Sequence, residues 1–225
     1  MEKIATFRSP FATKFGVPRQ SGIVPELEGE IVFEDGYRIP EALRGLEGFD
    51  YIWLIWEFSA NSDRGWQPTV RPPRLGGNRS MGVFATRSPF RPNHLGLSSV
   101  RISSIDTDRM VIHVKGADLM DGTPIYDIKP YVTYADSHPD ARSGFVDDSG
   151  WSGLEVVIPD GIAVPFAEEQ LQALIHTLSL DPRPHYRQGG DRIYGFIFSG
   201  FDIRFKVMDN VLTVVEMVPV NEKVK

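Results

Sequence analysis

Cysteine is absent from the 225-residue chain. That removes disulfides, thiolate zinc sites, iron–sulfur clusters and cysteine nucleophiles together, and it fits a reducing compartment. Long apolar runs are missing too. The longest, Tyr51-Ile-Trp-Leu-Ile-Trp56, is far too short to span a bilayer. The first ten residues carry both charge signs and lack the apolar core of a signal peptide. A soluble cytoplasmic protein without a membrane partner is expected. No G-x-G-x-x-G follows a strand pattern, and there is neither a P-loop nor a G-x-S-x-G elbow. Dinucleotide redox chemistry and P-loop phosphoryl transfer drop out. The five histidines (His94, His113, His138, His176, His185) show no metal-ligand spacing, so no metal is expected.

One sign of charge is missing locally. From 64 to 105 there are seven arginines (Arg64, Arg71, Arg74, Arg79, Arg87, Arg91, Arg101) and no Asp, Glu or Lys. This block carries +7 in a chain of formal net charge −6, so the remainder carries −13. Arginine interleaved with Trp66, Phe84 and Phe90 suits bidentate phosphate contact and base stacking better than a mixed solvated surface does.

What is present reads as two units. Over residues 1–135 short apolar segments recur between Gly- and Pro-rich joints: 30–33, 51–56, 81–86, 97–105, 110–115 and 125–132. This pattern predicts a mainly β barrel or sandwich, with the run 51–56 buried on both faces. One short helix is expected over 40–46, opened by Pro40 and ended before Gly48. Residues 136–153, rich in Asp, Ser and Gly, read as a linker. Residues 154–225 read as a small α+β unit. A strand over 154–158 comes first, then a helix opened by Pro165 with Leu171, Leu174, Ile175 and Leu178 on one face. Asp181-Pro-Arg-Pro184 stops that helix. Strands over 193–199, 202–208 and 211–218 follow, the last two joined by an Asp209-Asn210 turn. Arg-Ser-Pro-Phe occurs twice, at 8–11 and 87–90, and reads as two turns of one type.

Three segments concentrate chemistry. Phe15-Gly-Val-Pro-Arg-Gln-Ser-Gly22 places Arg19 and Gln20 between two permissive glycines. In the stretch 84–97, Arg87 and Arg91 are stiffened by Pro89 and Pro92, which lowers the entropy lost on binding an anion. In Ala117-Asp-Leu-Met-Asp-Gly-Thr-Pro-Ile-Tyr-Asp-Ile-Lys-Pro-Tyr131, four ionisable groups (Asp118, Asp121, Asp127, Lys129) gather beside turns. There, period two would put Asp127, Lys129 and Tyr131 on one strand face. A salt bridge that merely ties down that face is the plain alternative. From the residues alone, a binding-only β-barrel that grips RNA loops, or a hydrolase using the Asp cluster with Mg²⁺, also stays open.

Val17-Pro-Arg-Gln20, Thr69-Val-Arg-Pro-Pro-Arg-Leu-Gly-Gly-Asn78, the run Met81–Phe90, Asp121-Gly-Thr-Pro124 and Asp127-Ile-Lys-Pro-Tyr131 occur in this order. Asp181-Pro-Arg-Pro184 and Tyr186 follow. In these residues the chain resembles the TsaA-like family of S-adenosylmethionine-dependent tRNA methyltransferases, the TrmO enzymes, over almost its whole length. The resemblance implies a non-Rossmann β-barrel methyltransferase domain with a small C-terminal domain. It implies methylation of the exocyclic amine of N6-threonylcarbamoyladenosine, next to the anticodon, by a homodimer that binds the donor near its subunit interface. Donor contacts would fall on Pro18, Arg19, Gln20, Ser59, Ala60, Arg87, Leu97, Ala117, Asp118 and Leu119. Many relatives carry His-Gln where this chain has Ser59-Ala60, so backbone would replace side chain there. Asp121 or Asp127 would accept the proton, oriented by Lys129. Arg71, Arg74, Arg91, Arg183 and Tyr186 would hold the anticodon stem-loop.

Overall fold

A computed structural model describes residues 1–61, 63, 65–75, 79–147, 153–183 and 192–220. The strands are β1 (Ala5–Arg8), β2 (Glu28–Phe33), β3 (Tyr51–Glu57), β4 (Thr69–Val70), β5 (Met81–Gly82), β6 (Leu95–Asp106), β7 (Val111–Lys115) and β8 (Pro124–Pro130). After a one-turn helix α1 (Thr133–Asp136) come β9 (Glu155–Val157), α2 (Glu168–Ser179), β10 (Tyr194–Phe198), β11 (Phe201–Met208) and β12 (Val211–Pro219). Six strands close into a barrel in the order β1-β2-β7-β6-β3-β8, each neighbouring pair antiparallel. Closure leaves no open edge, and the alternating inward residues Phe7, Ile31, Ile52, Leu54, Val100, Ile112 and Ile125 fill the interior.

Strand β3 departs from the expectation of burial on both faces. Ile52, Leu54 and Trp56 are buried, whereas Tyr51, Trp53, Ile55 and Glu57 point outward and Tyr51 is 43% exposed. A barrel seals only its inside. The outer side chains of β3 therefore cluster with Tyr131, whose ring lies 5.7 Å from Trp53 and 6.2 Å from Tyr51. Local backbone demands correct two other expectations. No α-helix forms over 40–46: short 3₁₀ turns at Pro40–Leu43 and Leu46–Gly48 are separated by Gly45 at φ +89°. Residues 81–86 are a two-residue strand followed by a 3₁₀ turn at Val83–Ala85, because β4 offers only two residues to pair with.

The C-terminal sheet has the order β10-β11-β12-β9, with β9 parallel to β12. Met208 pairs with Val211 across Asp209 and Asn210, both at positive φ as a tight hairpin requires. Helix α2 begins at Glu168 and not at Pro165, and its buried stripe is Ala173, Leu174, Thr177 and Leu178. Leu171 and Ile175 flank that stripe. Thr177 can be buried because its hydroxyl donates to the Ala173 carbonyl at 2.7 Å.

The second core is not made by the C-terminal segment alone. Phe11, Val24 and Leu27 belong to it, with Phe15, Val17 and Ile23 packed against it. Phe11 bridges Phe198, and the Ser199 N–H donates to the Pro10 carbonyl at 2.8 Å. The loop between β1 and β2 is thus a wall of the C-terminal unit. No helix among the described residues is long and apolar enough to cross a membrane.

Candidate active site

At one end of the barrel, Gly96 lets the Trp56 indole lie against bare backbone. A Cβ at position 96 would stand 2.3 Å from the ring. The indole N–H donates to Ser98 Oγ at 2.9 Å, and the Ser98 hydroxyl donates to Asp118 Oδ1 at 2.6 Å. Asp118 lies three residues beyond the end of β7, after Gly116 and Ala117. Burial pushes its carboxyl above the ordinary range, offset in part by the Ser98 hydrogen bond, its own N–H, the nearby Arg87 charge and the Ser21 N–H. The loop over this carboxylate is held on both sides. The Gly22 N–H donates to the Gly116 carbonyl at 2.8 Å, and Arg87 Nη1 donates to Gln20 Oε1.

Gln20, Arg87, Ser98 and Asp118 are therefore brought together from four distant segments. Pro18, Ala117 and Leu119 are buried around them. Arg19 is exposed and lies within electrostatic reach of Asp181 and Arg74. Ser59 and Ala60 stand in a 3₁₀ turn directly after β3, tied down by the Phe58 N–H on the His94 carbonyl at 2.8 Å. Leu97 takes the opposite face from Ser98. It points outward, 55% exposed, next to Ile55.

Asp121 and Asp127 have separate surroundings. Asp121 Oδ1 accepts the Ser9 N–H at 3.1 Å, and Oδ2 lies 3.6 Å from Arg8, so this carboxylate fixes the first Arg-Ser-Pro-Phe turn. Both copies of that turn close alike, with the phenylalanine N–H donating to the serine hydroxyl at 3.3 Å. Asp127 lies on β8 opposite Ile55. Its Oδ1 accepts the Ile128 N–H at 2.9 Å, and Lys129 Nζ lies 2.9 Å from Oδ2. It also borders an apolar cleft of about 460 Å³ lined by Phe33, Tyr37, Ile39, Leu43 and Phe49.

The arginines sort by what they touch. Arg71 and Arg74 are exposed beside β4. Arg91 faces inward and donates to the Thr86 carbonyl at 2.7 Å, clamping its own loop. Arg183 forms a bidentate pair with Asp181 at 2.7 and 2.9 Å, both side chains 13% exposed. That pairing occupies much of its fork. Tyr186 lies outside the described residues.

Ser98 and Trp56 were not singled out by sequence. A serine in phase with the inward residues of β6 was the available signal. Glu57 and Tyr126 were missed as well. A register shift at Ile55/Trp56 re-aims Tyr126, whose hydroxyl donates to Glu57 Oε2, and this bond pushes the phenol up to about 12. No sequence signal foretells that shift.

The N-terminal domain of tRNA-methyltransferase O matches residues 6–137, and the TrmO C-terminal domain matches residues 162–220. The chain belongs to the TrmO family. The tRNA (adenine(37)-N6)-methyltransferase of Escherichia coli K12 is 40% identical over 218 residues, covering 92% of this chain and 93% of that protein. A Pseudomonas aeruginosa relative, 40% identical over 82% of each chain, is provisionally named an S-adenosylmethionine-dependent methyltransferase. A crystal structure of TrmO superposes with a TM-score of 0.76 at 29% identity, covering 96% of this chain and 97% of that one. The closed barrel and the C-terminal sheet are thus TrmO features, and so is the mainly β character expected from sequence.

Proposed function

We propose that this chain is an S-adenosylmethionine-dependent tRNA methyltransferase acting on N6 of N6-threonylcarbamoyladenosine at position 37, beside the anticodon. The observation that carries the proposal is the convergence of Gln20, Arg87, Ser98 and Asp118 at one barrel end, in a chain that matches both TrmO domains. The residues there suit the donor. The methionine part of S-adenosylmethionine bears an ammonium, a sulfonium and a carboxylate, and the site offers a half-buried carboxylate beside a guanidinium, with apolar Ala117 and Leu119 adjoining. Pro18, Arg19, Ser59 and Ala60 complete the rim.

The donor supplies an electrophilic methyl group for in-line displacement by the adenine N6. The protein's task is to align the two and to remove a proton. The carbamoylated N6 is a poor nucleophile, because its lone pair is delocalised. Asp127 is the acceptor for that proton, oriented by Lys129 at 2.9 Å. Supporting this choice, Leu97 and Asp127 flank Ile55 on one outer face, about 10 Å apart across two strand spacings. Asp121 is committed to the Ser9 turn. Asp127→Asn is expected to lower kcat by about 100-fold with donor affinity unchanged. If Asp121→Asn shows that pattern and Asp127→Asn does not, the two roles must be exchanged.

A homodimer completes the site. The outward Leu97, 55% exposed, and the aromatic face of Tyr51, Trp53 and Tyr131 give a second copy an apolar seat, and Leu97 would then meet donor at the subunit boundary. Arg71 and Arg74 contact the anticodon stem-loop phosphates, while Arg91 and Arg183 shape the loops that carry such contacts. The deciding experiment offers methyl-labelled S-adenosylmethionine with tRNA that does or does not carry threonylcarbamoyladenosine. Label should enter the modified tRNA alone, and no transfer to either would sink the proposal.

A further inference from the structure

Between β3 and β6 the chain leaves the barrel and forms a small ribbon, Thr69 opposite Gly82 and Val70 opposite Met81. Backbone bonds extend the pairing: the Val83 N–H donates to Pro68 at 3.0 Å, and the Gln67 N–H donates to Phe90 at 3.1 Å. The 3₁₀ turn Val83–Ala85 is held firmly. Val83 is buried, the Thr86 hydroxyl donates to the Val83 carbonyl at 2.9 Å, and Arg91 clamps the Thr86 carbonyl. On this rigid turn Phe84 is 74% exposed, and Trp66, on the segment that pairs with it, is 53% exposed.

Two large aromatic rings held out on a stiff ribbon need a partner with flat apolar faces. The same excursion carries Arg71, Arg74 and Arg79, with no carboxylate between 64 and 105. An apolar protein surface would desolvate those guanidiniums without pairing them. Single-stranded RNA satisfies both needs, presenting phosphates to arginine and π-faces to the rings. We propose that Phe84, together with Trp66 on the paired segment, is a stacking platform for unpaired bases of the bound RNA loop. The inference deepens the tRNA methyltransferase reading and rests on it.

The test uses the full chain and an anticodon stem-loop with 2-aminopurine in its loop, the wild type compared with Phe84→Ala, Phe84→Tyr and Phe84→Trp. Wild type should quench the 2-aminopurine fluorescence. Phe84→Ala should lose the quench and weaken RNA binding by about 10- to 100-fold, with donor affinity and thermal melting unchanged, and the aromatic variants should restore both. Wild-type quench and RNA affinity in Phe84→Ala would overturn the inference. So would a change of sedimentation from dimer to monomer, which would mark Phe84 as a subunit contact. Quenching by a wild type that transfers no methyl group would sink the enzymatic reading and leave the platform standing.

Discussion

Gly16→Ala is expected to destabilise the protein by roughly 2–5 kcal/mol and to weaken donor binding with it. Gly16 has φ +90°, and a Cβ there would meet Phe196 Cδ2 at 2.5 Å and two further ring atoms at 2.9 Å. Phe196 cannot yield easily. It is 4% exposed and packed among Phe11, Phe15 and Phe205. Relief must therefore come from lifting the loop, and that loop carries Pro18, Arg19 and Gln20 two to four residues on. Turnover should fall by on the order of 10- to 100-fold, because small displacements of aligned groups are costly. Gly22→Ala is the control. Its φ is +79° but nothing lies within 4 Å of the added carbon, so only backbone strain of roughly 1 kcal/mol is expected. Urea denaturation with donor titration of both variants checks the pair. Equal effects would show that crowding against Phe196 is not the cause. The C-terminal unit thus backs the loop that carries the proposed donor residues Pro18, Arg19 and Gln20.

Asp118→Asn should lower donor affinity by about 10- to 100-fold, the range expected for losing a charged hydrogen bond. Stability of the free protein should move the other way. Burial holds the Asp118 carboxyl above its unfolded value, so the unfolded chain ionises first as pH rises. Between the unfolded and the folded pKa the native state binds more protons, and native stability falls with rising pH. Above that window the charged carboxylate remains a net cost, which asparagine removes. Melting at neutral pH should therefore be equal to or higher than wild type, and the acid-side slope of stability should flatten. A cationic donor favours the ionised form, so wild-type donor affinity should rise with pH through the same window, and the variant's should not. A variant that melts lower and binds donor normally would make Asp118 a scaffold residue only.

The arginine block shows how far composition carries an argument and where it stops. Counting charges separated a +7 stretch from a −13 remainder and pointed to an anionic partner. It could not tell Arg71 and Arg74, which face solvent, from Arg91, whose donors are turned onto its own loop. Arg183 is the same lesson in the C-terminal unit, since Asp181 two residues earlier takes its fork. Likewise Asp121 and Asp127 looked equivalent as carboxylates beside turns. Pairing with Ser9, 112 positions earlier, sets one of them apart.

By itself the sequence determined the strand-rich first unit, the α+β second unit, the Asp209-Asn210 hairpin and the family resemblance. These rest on local period, turn chemistry and residue order, all of which are written along the chain. Only the tertiary structure decided that β3 buries one face, that the 9–27 loop belongs to the C-terminal core, and that Gln20, Arg87, Ser98 and Asp118 meet. Barrel closure and cross-strand register bring together residues far apart in the chain, such as Gln20 and Asp118, 98 positions apart, and no window on the chain contains such a pair. The missing cysteine keeps its meaning throughout: the site is assembled from carboxylate, guanidinium, amide and hydroxyl groups, held by packing and hydrogen bonds.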